Sequence, residues 1–338
     1  MGVLNAPQLR NHVPLLGRGT GVQIALLPKG IRVKPVDQLL YIGGFLGTAK
    51  VVDVTADDSY VNMVAGNTYT VVAEATDSPK SIAYKLIDLI NAETAIHGCT
   101  AQNPRLVTGD DWIYDVYNPV ETFTLANTGT TTVGDIVIVA TAGNTTAIAK
   151  GATSITILKG LEGAIQKGQF MQAVDKDGTE YLLQLTANAA VAATSLSVAA
   201  LDEAIPAGSQ IGYPVEFFDR TTADSNETAA TAEFTTFNSG GKTDGVVTST
   251  ATEGSLGGNF FERCPGASTA EYASENGLEV WLKFLDPEYR DGWSRRTQEG
   301  AAVITSRNKA RPVEGFVSNE LSYKFYGQIL NTPAKPLY

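Results

Sequence analysis

Only one stretch of this 338-residue chain keeps a helical period; elsewhere apolar residues come in short runs cut by Gly, Pro, Asn or Asp. That punctuation commits the chain to a mainly β fold. Leu40-Tyr41-Ile42, Val51-Val52-Asp53-Val54, Tyr69-Thr70-Val71-Val72 and Leu278–Phe284 have the β-branched and aromatic content that suits a pleated, half-buried surface. Ala301–Thr305 and Asn319–Tyr326 read as two more strands, and Gly66-Asn67 and Asp177-Gly178 as turns. The exception is helical. Ser78 is a good N-cap, Pro79 fits the first helical position, and Ile82, Leu86, Leu89 and Ile90 recur on one face, predicting a helix over about 79–92 that covers a sheet.

One internal repeat is visible. Ala152-Thr153-Ser154-Ile155-Thr156-Ile157 recurs 41 residues later as Ala193-Thr194-Ser195-Leu196-Ser197-Val198. Leu161–Ile165, ending at Gly168, recurs 40 residues later as Leu201–Ile205, ending at Gly208. Two copies are too few for a solenoid and predict a small two-fold β module. A single core stops growing at roughly 250–300 residues, so two domains or a large insertion are expected. The punctuation divides the chain into a Pro-cut arm over 1–35, a β domain over 36–148 carrying the helix, an inserted β module over 149–216, and a second β part over 217–338. The last part opens with a Thr/Ala/Ser/Gly-rich segment, 221–258, that reads as a long hairpin or as a segment ordered by neighbouring subunits.

Charge and residue types exclude several function classes. Net charge is −11, with five basic and no acidic side chains in the first 35 residues, so a basic arm and an acidic body can attract head to tail. An acidic protein does not wrap nucleic acid tightly. The histidines are His12 and His97 alone, and no Gly-x-Ser-x-Gly or His-Glu-x-x-His motif occurs; no catalytic, metal or cofactor site is predicted. The doublets Asp57-Asp58 and Asp110-Asp111 read as solvated turns. Cys99 and Cys264 form no framework, no signal peptide is visible, and no run approaches the ~20 apolar residues that cross a bilayer; synthesis in a reducing cytoplasm without membrane insertion is expected. Trp281, Tyr289 and Trp293 cluster with Arg290, Arg295 and Arg296, the mixture found at protein–protein hot spots.

Glu279-Val280-Trp281-Leu282-Lys283-Phe284-Leu285-Asp286-Pro287, then Glu299–Ser306, Arg311–Phe316 and a last strand ending Tyr326-Gly327-Gln328, resemble in order the C-terminal part of bacteriophage major tail tube proteins. The repeat resembles small β modules of phage tail and head-decoration proteins. The resemblance implies a β-sandwich or half-barrel with one flanking helix, plus an inserted small β domain. It further implies a non-enzymatic virion protein, made in the host bacterial cytoplasm, whose copies form stacked hexameric rings. Its partners would be itself, other tail proteins, and duplex DNA passing through the lumen without specific binding. Arg10, Arg18, Arg32, Trp281, Tyr289, Trp293, Arg295 and Arg296 are the candidate subunit-interface residues. A capsid decoration or other head or tail role is the alternative, and a secreted glycan-binding module or hydrolase a further one.

Overall fold

The structure, a computed structural model, describes residues 21–107, 109–126, 136–217, 220–234, 244–259, 264–285, 297–310 and 318–333. The chain is mainly β, and the strands are antiparallel throughout. The largest sheet runs, in spatial order, β15 (Val215–Phe217), β1 (Gly21–Leu26), β18 (Glu279–Leu285), β19 (Thr297–Ala310), β20 (Ser318–Phe325), β17 (Asp244–Asn259) and β16 (Arg220–Phe234), with β21 (Leu330–Thr332) continuing beside β19. Consecutive strands β15 and β16 lie at opposite edges, yet Phe217 and Arg220 are three Cα steps apart, at most about 11 Å. The sheet therefore rolls so that its two edge strands approach at Phe217 and Arg220.

A second sheet, β12 (Glu180–Gln184), β11 (Phe170–Val174), β14 (Ser209–Tyr213) and β2 (Gln38–Ile42), stands with the ribbon of β10 (Ser154–Thr156) and β13 (Ser195–Ser197). Here the sequence repeat becomes a local two-fold. Repeat mates Ile155 and Leu196 face each other across the ribbon. The pair Ile148–Ile205 is matched by Ala189–Ile165, and each pair exchanges both backbone bonds at 2.9 Å. Gly168 and Gly208 are also mates, with φ of +88° and +96°. A Cβ on Gly168 would stand 1.9 Å from the Tyr272 ring and one on Gly208 2.6 Å from the Pro119 carbonyl.

Helix α3 (Pro265–Asn276) packs against β1, β11, β15 and β19. Its N-cap is Cys264, whose Sγ accepts from the Ala267 N–H, and its buried face is Gly266, Ala267, Thr269, Ala270 and Ala273. One helix was expected from the sequence; α3 is built on small residues, so no Leu/Ile stripe announces it. Its close seat, along with the roll of the sheet, merges the two sheets into one core running from Val22, Ile24 and Leu282 to Ile155, Leu196 and Ile211.

The remaining described strands belong to residues 44–144. One sheet is β6 (Thr100–Leu106), β7 (Trp112–Asn118), β3 (Gly44–Val51) and β9 (Ile136–Asn144); the other is β5 (Asn67–Val72), β4 (Ser59–Val64) and β8 (Leu125–Ala126). They surround α1 (Pro79–Ala92), which is followed by the short α2 (Thr94–His97). Helix α1 begins at Ser78, as the sequence predicts, in a capping box closed by Ser81. Ile82, Leu86 and Ile90 are buried, but Leu89 is 41% exposed at the margin of the stripe, and Ala83 and Ile87 complete the buried face. This region has its own core, Val51, Tyr60, Leu86, Tyr114 and Ile136 among its members.

Because both glycines have positive φ and no room for a Cβ, Gly168→Ala and Gly208→Ala should each cost about 2–4 kcal/mol. Urea unfolding of the two variants beside the parent checks this.

Candidate assembly surface

After β1 the chain turns at Pro28, where the Ile31 N–H donates to the Pro28 carbonyl across Gly30 (φ +76°), and runs back as an extended strap over β18 and β19. Three ion pairs hold the strap. Arg32 grips Glu279 at 2.8 Å, Lys34 meets Glu299 at 2.6 Å, and Lys283 reaches Asp37 at 2.9 Å. The Arg32 guanidinium also lies 5.5 Å from the centre of the Tyr326 ring. Glu299 is 2% exposed and accepts a second bond, from Trp281 Nε1 at 3.0 Å. Strand alternation puts Glu279, Trp281 and Lys283 on one face of β18, the face that meets the strap. With its charges turned inward, the strap leaves Ile31 and Val33 51% and 67% exposed.

The opposite end of the large sheet carries a long projection. Strands β16 and β17 pair from Arg220–Gly258 to Phe234–Asp244, whereas β20 pairs with β17 only as far as Glu253–Lys324. The last eight residues of β16 and their partners thus run beyond the sheet, about 25 Å of two-stranded ribbon at 3.2–3.4 Å per residue. Among the described residues, no strand pairs with the outer edge of β16. An unpaired backbone edge of that length offers donors and acceptors to another strand.

A buried charge node joins the 44–144 region to the two-fold module. Asp115 is fully buried on β7 and accepts from Thr48 Oγ1 (2.9 Å), Tyr41 Oη (3.1 Å), Asn103 Nδ2 (2.8 Å) and Arg105 Nη1 (3.0 Å). Lys159 stands 3.5 Å away, and both Arg105 and Lys159 also pair with Glu162. Burial alone would raise the Asp115 carboxyl, but the charges of Arg105 and Lys159 and the bond from Asn103 outweigh it and hold the group below the usual carboxylate range. Burial, with the Asp115 charge added, pushes the Tyr41 phenol well up, so Tyr41 serves as a neutral donor. The node sets two carboxylates, Asp115 and Glu162, against two cations, Arg105 and Lys159.

Of the sequence-predicted interface residues, the structure describes Arg32 and Trp281. Arg32 is spent on Glu279 within the chain, and Trp281 is 4% exposed beneath the strap rather than on the surface. Arg10, Arg18, Tyr289, Trp293, Arg295 and Arg296 lie outside the described residues. The structure thus brings Arg32 and Trp281 to one latch through Glu279 and Glu299. The acidic doublets are in turns, with Asp111 paired to Lys50 at 2.9 Å. His97 Nδ1 accepts from the Cys99 N–H at 3.0 Å. Among the described residues no cluster of His, Cys, Asp or Glu is arranged to hold a metal. An open groove of about 420 Å³ beside β3 is lined by Phe45, Phe123, Leu125, Thr141 and Gly143, with no charged side chain among the described residues. Sequence reasoning passed over Glu299 and Lys34; the two lie 265 residues apart, and only the fold couples them.

The mainly β architecture is the class that these elements define. Comparison with solved structures finds partial likenesses. The tail of an empty gene transfer agent particle, computed with helical refinement in C6 symmetry, matches 34% of this chain and 82% of its own at 19% identity, with a TM-score of 0.29. The virion of a native gene transfer agent particle matches 36% and 88% at 18% identity and 0.30. The SPP1 tail tube, a hybrid solid-state NMR and cryo-EM structure, matches 35% and 66% at 23% identity and 0.29. No family model and no curated protein matches the chain.

Since the folded Asp115 carboxyl sits below its unfolded value of about 3.9, its contribution is complete above that pH and is lost as pH falls through the folded value. Asp115→Asn, which leaves Arg105 and Lys159 with Glu162 as their one acid, should cost about 3 kcal/mol at pH 7. It should also flatten the acid limb of stability, read from thermal melts between pH 2 and 7.

Proposed function

We propose that this chain is a non-enzymatic virion structural protein, the repeating subunit of a phage-type tail tube. Six copies form a ring, rings stack into a conduit, and duplex DNA passes through without being gripped, with other tail proteins at the ends. The observation that carries this reading is the β16–β17 hairpin, which runs eight residue pairs beyond its sheet and whose outer edge no strand among the described residues pairs. A monomer gains little from a two-stranded ribbon in water, since such ribbons are marginal alone; a neighbouring copy supplies the missing strand and surface. The sequence resemblance of the β18–β20 region to tail tube proteins supports the same reading. So does the net charge of −11, which suits a wall that must not bind its cargo.

Shortening the hairpin to a tight Asn-Gly turn by removing residues 230–249 tests the proposal. The expected product keeps the parent's melting behaviour and sediments as a small species at concentrations where the parent forms large assemblies. Assemblies of parental size and number from the shortened chain would count against it.

A further inference from the structure

The two-fold of the module reaches beyond the sequence repeat, and its missing piece, β2, lies upstream of residues 43–147. In the second half, the chain passes from β12 through Leu185 to Ala189 across three residues, Thr186, Ala187 and Asn188. The first half has its equivalent of β12 in β2. The Gly168 N–H donates to Leu185 O, and its mate Gly208 donates to Ile42 O. The Ala199 N–H donates to Gln184 O, and its mate Leu158 donates to Tyr41 O. β12 pairs with β11 as β2 pairs with β14: Met171 opposes Leu183, and its mate Ile211 opposes Leu40. The side chains agree, Gln38-Leu39-Leu40-Tyr41-Ile42 beside Tyr181-Leu182-Leu183-Gln184-Leu185.

The place of the three-residue link is taken in the first half by residues 43–147. We infer that this segment is an autonomous unit inserted into a loop of the two-fold module, and that the module, fused to the large sheet, is the parent body of the chain. Three further observations agree. Every member of the 44–144 core lies within the segment, whereas the other large core mixes module and sheet residues. The segment meets the module through Leu39, Tyr41, Leu46, Tyr117 and Leu158 and through the Asp115 charges, a small docked contact rather than a shared interior. The segment also holds four basic and twelve acidic side chains, eight of the eleven excess negative charges. The rest of the chain is close to neutral, so the insertion is its acidic appendage. This inference stands on the backbone pairing and is independent of the tail tube reading.

Hydrogen exchange on the full chain, followed by mass spectrometry, tests it with two variants. Leu86→Ala opens the core of the insertion; exchange there should rise about a hundredfold, with β10–β14 and the large sheet unchanged. Ile155→Ala opens the other core; exchange should rise together in the module and the large sheet while 44–144 keeps its protection. A Leu86→Ala variant that loses protection throughout 148–213 would overturn the inference. So would an Ile155→Ala variant that opens the α1 region to the same degree.

Discussion

The structure depends on the burial of Gln169, which locks three elements into one interior. Its Oε1 accepts from the Leu26 N–H at the end of β1 (2.8 Å), and its Nε2 donates to Thr269 Oγ1 on α3 (3.0 Å) and to the Phe170 carbonyl (2.8 Å). The side chain is wholly buried and supplies the acceptor for the Leu26 N–H, while Thr269 Oγ1 and the Phe170 backbone also bond each other, at 3.2 Å from the Phe170 N–H. An unpaired buried donor or acceptor costs about 1–3 kcal/mol. The large sheet, the second helix and the two-fold module are therefore one body, and its interior is continuous from Val22 to Leu196.

Two further joints are attached to that body, and both carry buried charge. The strap is latched by Arg32, Lys34 and Asp37, so part of the basic charge near the start of the chain is neutralised within the same chain. The 44–144 region is oriented by Asp115 and its five polar neighbours. Exposed pairs of this kind contribute little, but Glu299 and Asp115 are buried and leave no room for loosening one partner. The described residues thus form one continuous body with two ionic attachments and a projecting two-stranded ribbon.

Much of the fold was legible in the residues. Helix α1 starts at Ser78 and Pro79 because those residues satisfy or dispense with the free N–H groups of a first turn. The Asp177-Gly178 hairpin formed with Asp175 Oδ1 capping the Asp177 and Thr179 N–H groups. Within the Thr/Ala/Ser/Gly segment, the described residues 221–234 and 244–258 pair as antiparallel strands. Helix α3 was missed because small residues set its close packing, although Pro265 and Gly277 mark its ends. The partner of β2 was missed because the insertion of 43–147 breaks the repeat spacing that made the rest visible. The latch was illegible for the same physical reason as most tertiary contacts: Glu299 and Lys34 are neighbours only after the sheet has folded.

The most direct test of the central claim is electron microscopy of the purified full-length protein across a concentration series. The account predicts rings with a central hole wide enough for duplex DNA, stacking into hollow tubes as concentration rises. Particles that stay monomeric and uniform over the whole range would contradict it.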